Sequence, residues 1–440
     1  GQQASAGGFT GAVLLGMGGS SLAPETMRRI LGVAGGAIDL RVLDSTHPQA
    51  VRRIEREMDL RRTLFIVASK SGSTIETLSH LQYFYGRIQR GTHFVAITDP
   101  GSALEALAGK HDFAGLFLNP EDIGGRFSAL SLFGLVPAAV IGADLDALAA
   151  GAITMAQRCR AAAADNPGTV LGAALGEAAL AGREKASFVY PEAMAALGAW
   201  VEQLIAESTG KDGRGILPVA GEAPGEPGVF GDDRFFVDTG GHDWVGATGA
   251  PRLVLEADGG SPAERLGGEL EAEEFATAVA GHVLGIQPFD QPDVASAKKA
   301  TSEILEAGGA AAPQFEDPSA VLDPPPSYLA ILAFVDPSQE NAAVLERVRT
   351  ALRDRLGIAV TAAFGPRYLH STGQLHKGGP AGGGYLIVTD EMHAEDVAIP
   401  GRGYTFGTLI DAQAEGDLRS LRDAGRRVAR VRMRDLEPLA

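Results

Sequence analysis

Four hydroxyls and one ammonium converge within six residues at Ser69-Lys70-Ser71-Gly72-Ser73-Thr74. At a helix start this set suits one phosphate monoester, because first-turn N–H groups point outward and the helix dipole favours an anion. A Ser/Thr-rich helix cap needs similar residues without any ligand. The lysine lies at the carboxyl end of an expected parallel strand, where open α/β sheets bind ligands, and this favours the phosphate reading. Gly16-Met17-Gly18-Gly19-Ser20-Ser21 also follows a strand. Its glycines let backbone approach a ligand or make a tight turn, and the spacing matches neither the dinucleotide nor the nucleotide-triphosphate loop. Arg126 follows two glycines, so its guanidinium either packs over a turn or lies against a ligand as a fixed cation. Beside a developing enediolate, such a cation is stabilising. Glu207 ends a helix carrying Trp200, Val201, Leu204 and Ile205, with Gly210 as the expected stop. A glutamate there is either solvent-exposed or a proton-transfer base. Lys298 reads on its own as a helix-face lysine.

The elements that must position these residues alternate between short apolar runs and helical patterns, which predicts parallel βαβ units. Strands are expected at Ala12–Leu15, Leu40–Leu43, Thr63–Ala68 and His93–Thr98, with helices at Pro24–Leu31, Thr74–Ile88 and Ser102–Leu107. A mostly helical stretch from Leu130 to Ala164 leads to a second unit. It has strands at Ala186–Tyr190, Phe235–Asp238 and Leu253–Glu256 and helices at Ala193–Glu207 and Glu273–Leu284. Gly308 to Ser327, with its Ala run and three consecutive prolines, reads as a linker. A third unit follows, with strands Leu329–Val335, Ala359–Phe364, Tyr385–Val388 and Val428–Val431 and helices Asn341–Leu356 and Leu409–Ala424. The expected domains are therefore 1–160, 161–307, a linker at 308–327, and 328–440.

With 440 residues, 45% hydrophobic and 21% charged, the chain has a globular composition and too much length for one core. A formal charge of −17 argues against nucleic-acid or anionic-membrane partners. The apolar stretches are broken by Gly, Pro or Asp before they reach membrane-spanning length. The single cysteine, Cys159, permits no internal disulfide and fits a reducing cytoplasm; it reads as a packing residue. No His, Asp or Glu cluster has metal-ligand spacing, so no metal and no cofactor is expected. A strand close to Gly1 leads us to expect further protein before it.

The hydroxyl–lysine segment resembles the phosphate loop of sugar isomerase (SIS) domains, and Gly16–Ser21 resembles the Gly-Gly-Ser turn of phosphoglucose isomerases. Three further segments match that family in order: Gly124-Gly125-Arg126-Phe127-Ser128, Glu207-Ser208-Thr209-Gly210-Lys211, and Pro288-Phe289-Asp290-Gln291-Pro292 followed by Lys298. The resemblance implies an α/β fold of two SIS-type doubly wound parallel-sheet domains plus a smaller C-terminal α/β domain. It implies interconversion of glucose 6-phosphate and fructose 6-phosphate through an enediol(ate). Phosphate would dock on Ser69, Lys70, Ser71 and Thr74, with Gly19, Ser20 and Gln291 nearby. Glu207 would be the base between C1 and C2, Arg126 the enediolate partner, and Lys298 a ring-opening or hydroxyl-contacting group. A homodimer is also implied.

The chain departs from the family at the ring-opening histidine. Gly225-Glu226-Pro227-Gly228 is present, but the expected histidine position falls on Asp233. His370 and His376, in a Gly-Pro-Arg-Tyr-Leu-His-Ser-Thr-Gly-Gln-Leu-His-Lys-Gly-Gly segment, are the candidates to replace it. The tail beyond the linker and the ESTGK motif resemble the isomerase portion of bifunctional transaldolase/glucose-6-phosphate isomerases, which implies a fused N-terminal transaldolase absent from this chain. Two alternatives stay open: an isomerase for another hexose phosphate, such as mannose 6-phosphate, and a non-catalytic sugar-phosphate-binding SIS module.

Overall fold

The computed structural model describes residues 7–256 and 259–439. The first sheet is formed by β1 (Gly11–Leu15), β2 (Asp39–Leu43), β3 (Thr63–Ala68), β4 (Phe94–Thr98) and β5 (Gly115–Leu118). All five run parallel, in the order β2-β1-β3-β4-β5. The runs in β1, β3 and β4 are buried on both faces, as helix-covered parallel strands must be. A second parallel sheet contains β6 (Lys185–Val189), β7 (Leu217–Ala220), β8 (Arg234–Thr239) and β9 (Arg252–Leu255) in the order β7-β6-β8-β9. The third contains β10 (Tyr328–Phe334), β11 (Ala359–Phe364), β12 (Gly383–Thr389) and β13 (Arg427–Val431), also parallel, in the order β11-β10-β12-β13.

Several elements are absent from those expected, for different local reasons. Helix Pro48–Glu57 is capped by His47, which is outside the usual capping residues, and only Pro48, Ala50, Val51 and Ile54 are buried along a mostly charged run. Strand β5 is a four-residue edge whose Leu116, Phe117 and Leu118 stay exposed, so it shows no alternation. Strand β7 includes Pro218, a residue confined to edge strands, and β7 is the edge. Helix Pro262–Leu284 starts eleven residues before the expected Glu273, from a Ser261–Glu264 capping box.

Packing ties the three sheets together. Helices Leu145–Arg158 and Pro167–Leu180 both lie on Pro262–Leu284. Helix Leu197–Thr209 is buried along almost its whole length, with Trp200, Val201 and Leu204 in the largest core cluster. At about 1.5–3 kcal/mol for each large apolar side chain removed from water, that helix is a rigid platform for whatever stands at its end. Helix Ala295–Glu306 packs on Phe406–Asp423, where Ser296 Oγ and Ser420 Oγ are 2.6 Å apart. Val397, Ile399, Phe406 and Leu409 of the last unit join Leu81 and Phe84 in the core beside the first sheet. Among the described residues, no helix is long and apolar enough to cross a membrane.

Candidate active site

The ends of β1 and β3, the Gly124–Phe127 turn, the end of helix Leu197–Thr209 and the start of Ala295–Glu306 meet around a cleft of about 410 Å³. Gly19, Ser20, Lys70, Ser71, Thr74, Arg126, Glu207, Gln291 and Lys298 all line it. Ser69 stands just behind, 2% exposed, with its Oγ 2.9 Å from Thr74 Oγ1. Residues spread over the sequence from Gly19 to Lys298 are thus brought to one surface. His370, from the last unit, lines it as well.

The two glycine loops touch, which explains their composition. Gly18 has φ +54°, and a Cβ there would meet the His370 carbonyl at 2.6 Å. A Cβ on Gly19 would lie 2.0 Å from the Gly125 carbonyl. This contact sets the position of Arg126 relative to the first sheet. Gly19→Ala is expected to cost about 1–3 kcal/mol and to displace Arg126. Thermal unfolding and kcat check it together, and unchanged values in both would show that the contact is dispensable.

Arg126 is 3% exposed at its side chain. It donates from Nε to Ser208 Oγ at 2.7 Å, from Nη1 to Gln291 Oε1 at 2.8 Å, and from Nη2 to the carbonyls of Pro288 and Asp290 at 2.6 and 3.0 Å. Burial lowers its pKa, against the pull of Glu207 and Asp290. Glu207 Oε1 lies 3.5 Å from Arg126 Nη1, and Oε2 accepts from Gln203 Nε2 at 3.1 Å. Burial pushes the Glu207 carboxyl above its usual range, while Arg126, Gln203, His370 and Lys298 oppose that shift. The result is a carboxylate of increased basicity beside a fixed cation. Lys211, the last residue of the same motif, clamps the facing loop through the carbonyls of Gln287 and Asp290, both at 2.6 Å.

At the other side of the cleft, Thr74 occupies the N-cap of helix Ile75–Ile88 but makes no capping bond, because its hydroxyl is engaged with Ser69. Apart from the Glu76 amide, which its own carboxylate engages, the first-turn amides have no side-chain acceptor among the described residues, so a bound anion would meet open donors there. Ser71 Oγ and Ser73 Oγ lie 2.9 Å apart. Lys70 is turned partly aside: its Nζ pairs with the Asp99 carboxylate and donates to the Glu121 carbonyl at 2.9 Å. Among the described residues, Lys298 has no ion pair, and its charge reaches both Glu76 and Glu207.

The two histidine candidates separate. His376 is 1% exposed, has both ring nitrogens unpartnered among the described residues, and is held neutral by burial, with Lys377 and Arg426 adding to the effect. It lies outside the cleft. His370 lines the cleft, with Nε2 2.9 Å from Glu76 Oε1, and its carbonyl accepts from Gln203 at 2.8 Å. Asp233 is elsewhere, with Oδ2 2.8 Å from Lys185 Nζ. Gly210 does end the glutamate helix, but at φ −77° and not in the left-handed form.

Sequence reasoning missed Glu76 and Gln203. Glu76 is buried, accepts from Gln413 Nε2 at 2.8 Å, and pairs with His370. Burial pushes its carboxyl up, but His370, its own amide and Lys298 outweigh that and hold it below the usual range. It reads in sequence as an ordinary acidic residue in a first helical turn. Gln203 was recoverable, since it stands one helical turn before Glu207 on the same face.

A family model described as phosphoglucose isomerase matches residues 2–222. The chain belongs to the phosphoglucose isomerase family. Glucose-6-phosphate isomerase of Rubrobacter xylanophilus is 31% identical over 358 residues, covering 67% of this chain and 82% of that protein. A probable glucose-6-phosphate isomerase of Natronomonas pharaonis is 30% identical, covering 70% of this chain and 81% of the relative. Among solved structures, a hypothetical protein from Thermus thermophilus superposes with a TM-score of 0.63 at 27% identity, over 69% of this chain and 86% of that one. In this phosphoglucose isomerase family member, the glycine turn, the hydroxyl loop, Arg126, Glu207, Gln291 and Lys298 stand around one cleft.

Proposed function

We propose that this protein interconverts glucose 6-phosphate and fructose 6-phosphate by proton transfer through an enediol(ate). The observation that carries this reading is the Glu207–Arg126 pair, a buried carboxylate of raised pKa beside a cation, across the cleft from an uncapped hydroxyl-rich helix start. The phosphate docks on Ser71, Thr74 and the first-turn amides of Ile75–Ile88, with Ser69 holding Thr74 in place. Lys70, engaged by Asp99, acts as a longer-range positive charge. Glu207 removes the proton from C2 of the aldose and returns it at C1. Arg126 stabilises the negative oxygen formed between these steps, as preorganised donors do where charge develops. Gln203 fixes the Glu207 rotamer.

His370 and Glu76 open the sugar ring. The imidazole moves a proton between the ring oxygen and the anomeric hydroxyl, and the ionised Glu76 orients it. Lys298 stands beside them as a hydroxyl-contacting cation. The C-terminal unit thereby supplies part of the site. A homodimer and a fused transaldolase remain part of the same family reading.

The direct test follows glucose 6-phosphate formed from fructose 6-phosphate, alongside mannose 6-phosphate and an amino sugar phosphate. Turnover confined to the glucose/fructose pair is expected; inactive, folded protein that still binds 6-phosphogluconate would favour a binding module. Thr74→Val is expected to raise KM about 10–100-fold with a smaller change in kcat, the loss of one hydrogen bond to a charged group. A fall in kcat at constant KM would place the phosphate elsewhere.

A further inference from the structure

The seam between the first and last units contains a cluster that the isomerase reading does not use. His47, which caps helix Pro48–Glu57, has its side chain 2% exposed and its Nε2 2.9 Å from Asp390 Oδ2. His393 comes from the loop after β12, and its ring centroid is 5.3 Å from that of His47, edge to face. His393 is 7% exposed at its side chain, and its Nε2 is 2.8 Å from Asp411 Oδ1. In the neutral tautomer that carries its proton on Nε2, toward that carboxylate, Nδ1 presents a lone pair. That Nδ1 is buried, has no hydrogen-bond partner among the described residues, and lies 4.0 Å from Asp390 Oδ2.

We infer that His47, Asp390 and His393 form a site for a divalent transition metal of the zinc class, which staples the C-terminal unit to the first sheet. One ligand atom from each residue lies within 4.8 Å of the other two. Two imidazoles and one carboxylate are a donor set that selects zinc or cobalt over magnesium or calcium. The Asp411 contact to the far nitrogen of His393 is the kind of support that fixes a ligating tautomer. Loading moves the His47 proton from Nε2 to Nδ1, leaves Nε2 free to ligate, and draws the two imidazoles together. In exchange, His47 Nδ1 gives up its 3.3 Å bond from the Gln49 amide. Sequence spacing conceals the site, because its ligands are 343 and three residues apart. The metal is structural: none of its three ligands lines the cleft that holds Glu207. It therefore leaves the proton chemistry metal-free.

The test uses the full chain, stripped with chelator and titrated with Zn²⁺ and Co²⁺ alone, against His47→Gln and His393→Asn. Wild type is expected to bind one equivalent, to give the visible bands of low-coordinate cobalt, and to gain several degrees of thermal stability over the stripped protein. Each variant is expected to lose the bound equivalent and the stabilisation, with isomerase activity in chelator retained. His393→Asn alone suffices if His47→Gln, at a helix cap, does not fold. No binding by folded wild type, or one equivalent kept by His393→Asn, overturns the inference. Neither outcome depends on the isomerase assignment.

Discussion

Glu207→Gln is expected to lower kcat for fructose 6-phosphate about 10⁴-fold, close to the upper limit for one general base, with KM changed little. One carboxylate makes both proton transfers in this reaction, so the amide removes the whole shuttle, a loss of about 5 kcal/mol of transition-state stabilisation. Gln retains the size of Glu, and Gln203 and Arg126 can still contact it, so the fold and the phosphate loop are preserved. Glu207→Asp withdraws the carboxylate by about one methylene and is expected to cost about 10²-fold, since misplacement of a reacting group by about 1 Å carries that penalty. A coupled assay and a melting curve on each variant check this. Near wild-type turnover by a folded Glu207→Gln would move the base to another residue.

The pH profile gives a second reading of the same group. Burial holds the Glu207 carboxyl above the ordinary glutamate range. The base must be ionised to accept the C2 proton, so kcat/KM falls as pH drops through that raised pKa of the free enzyme. The acid limb is therefore expected at higher pH than an exposed glutamate would give. In Gln203→Leu the hydrogen bond that favours the ionised form is lost, and the limb moves further up. An unmoved limb in that variant would mean that Gln203 does not hold the base.

Most of the cleft was legible because its chemistry is concentrated in short segments beside strongly patterned strands. The run Thr63–Ala68 followed by Ser69 to Thr74 announces both a buried parallel strand and a site at its carboxyl end, and the structure has both. Arg126 and Glu207 each allowed a bland local reading, and it was the resemblance of their segments to the phosphoglucose isomerase family that singled them out. What escaped depends on long-range partners. Glu76 looks like any first-turn acid until His370, 294 residues away, turns it into half of a buried pair. The choice between His370 and His376 is likewise invisible in sequence. Six residues apart, one faces the cleft and the other lies among Tyr368 and Tyr385. Strand β7, with its proline, shows the opposite failure, where local preference argues against an element that edge position permits.

His370→Gln is expected to lower turnover of fructose 6-phosphate about 10²-fold while leaving much of the activity on a substrate that needs no ring opening. 5-Deoxyfructose 6-phosphate supplies that control: it lacks the O5 that closes the furanose and its O6 is esterified, so it enters the site open and keeps the full span from phosphate to C1. Glu207 and Arg126 are untouched by the substitution, so enolisation of an open chain should proceed. The Gln203 anchor is kept, because it uses the His370 carbonyl rather than the ring. Glu76→Gln should reproduce the selective loss in milder form, since the imidazole remains but loses the carboxylate that orients it. A purely structural role would instead depress both substrates together and lower the melting temperature. Equal loss on the cyclic and the open substrate would therefore remove His370 from ring opening. Selective loss would establish that His370, from the unit beyond residue 328, takes part in ring opening.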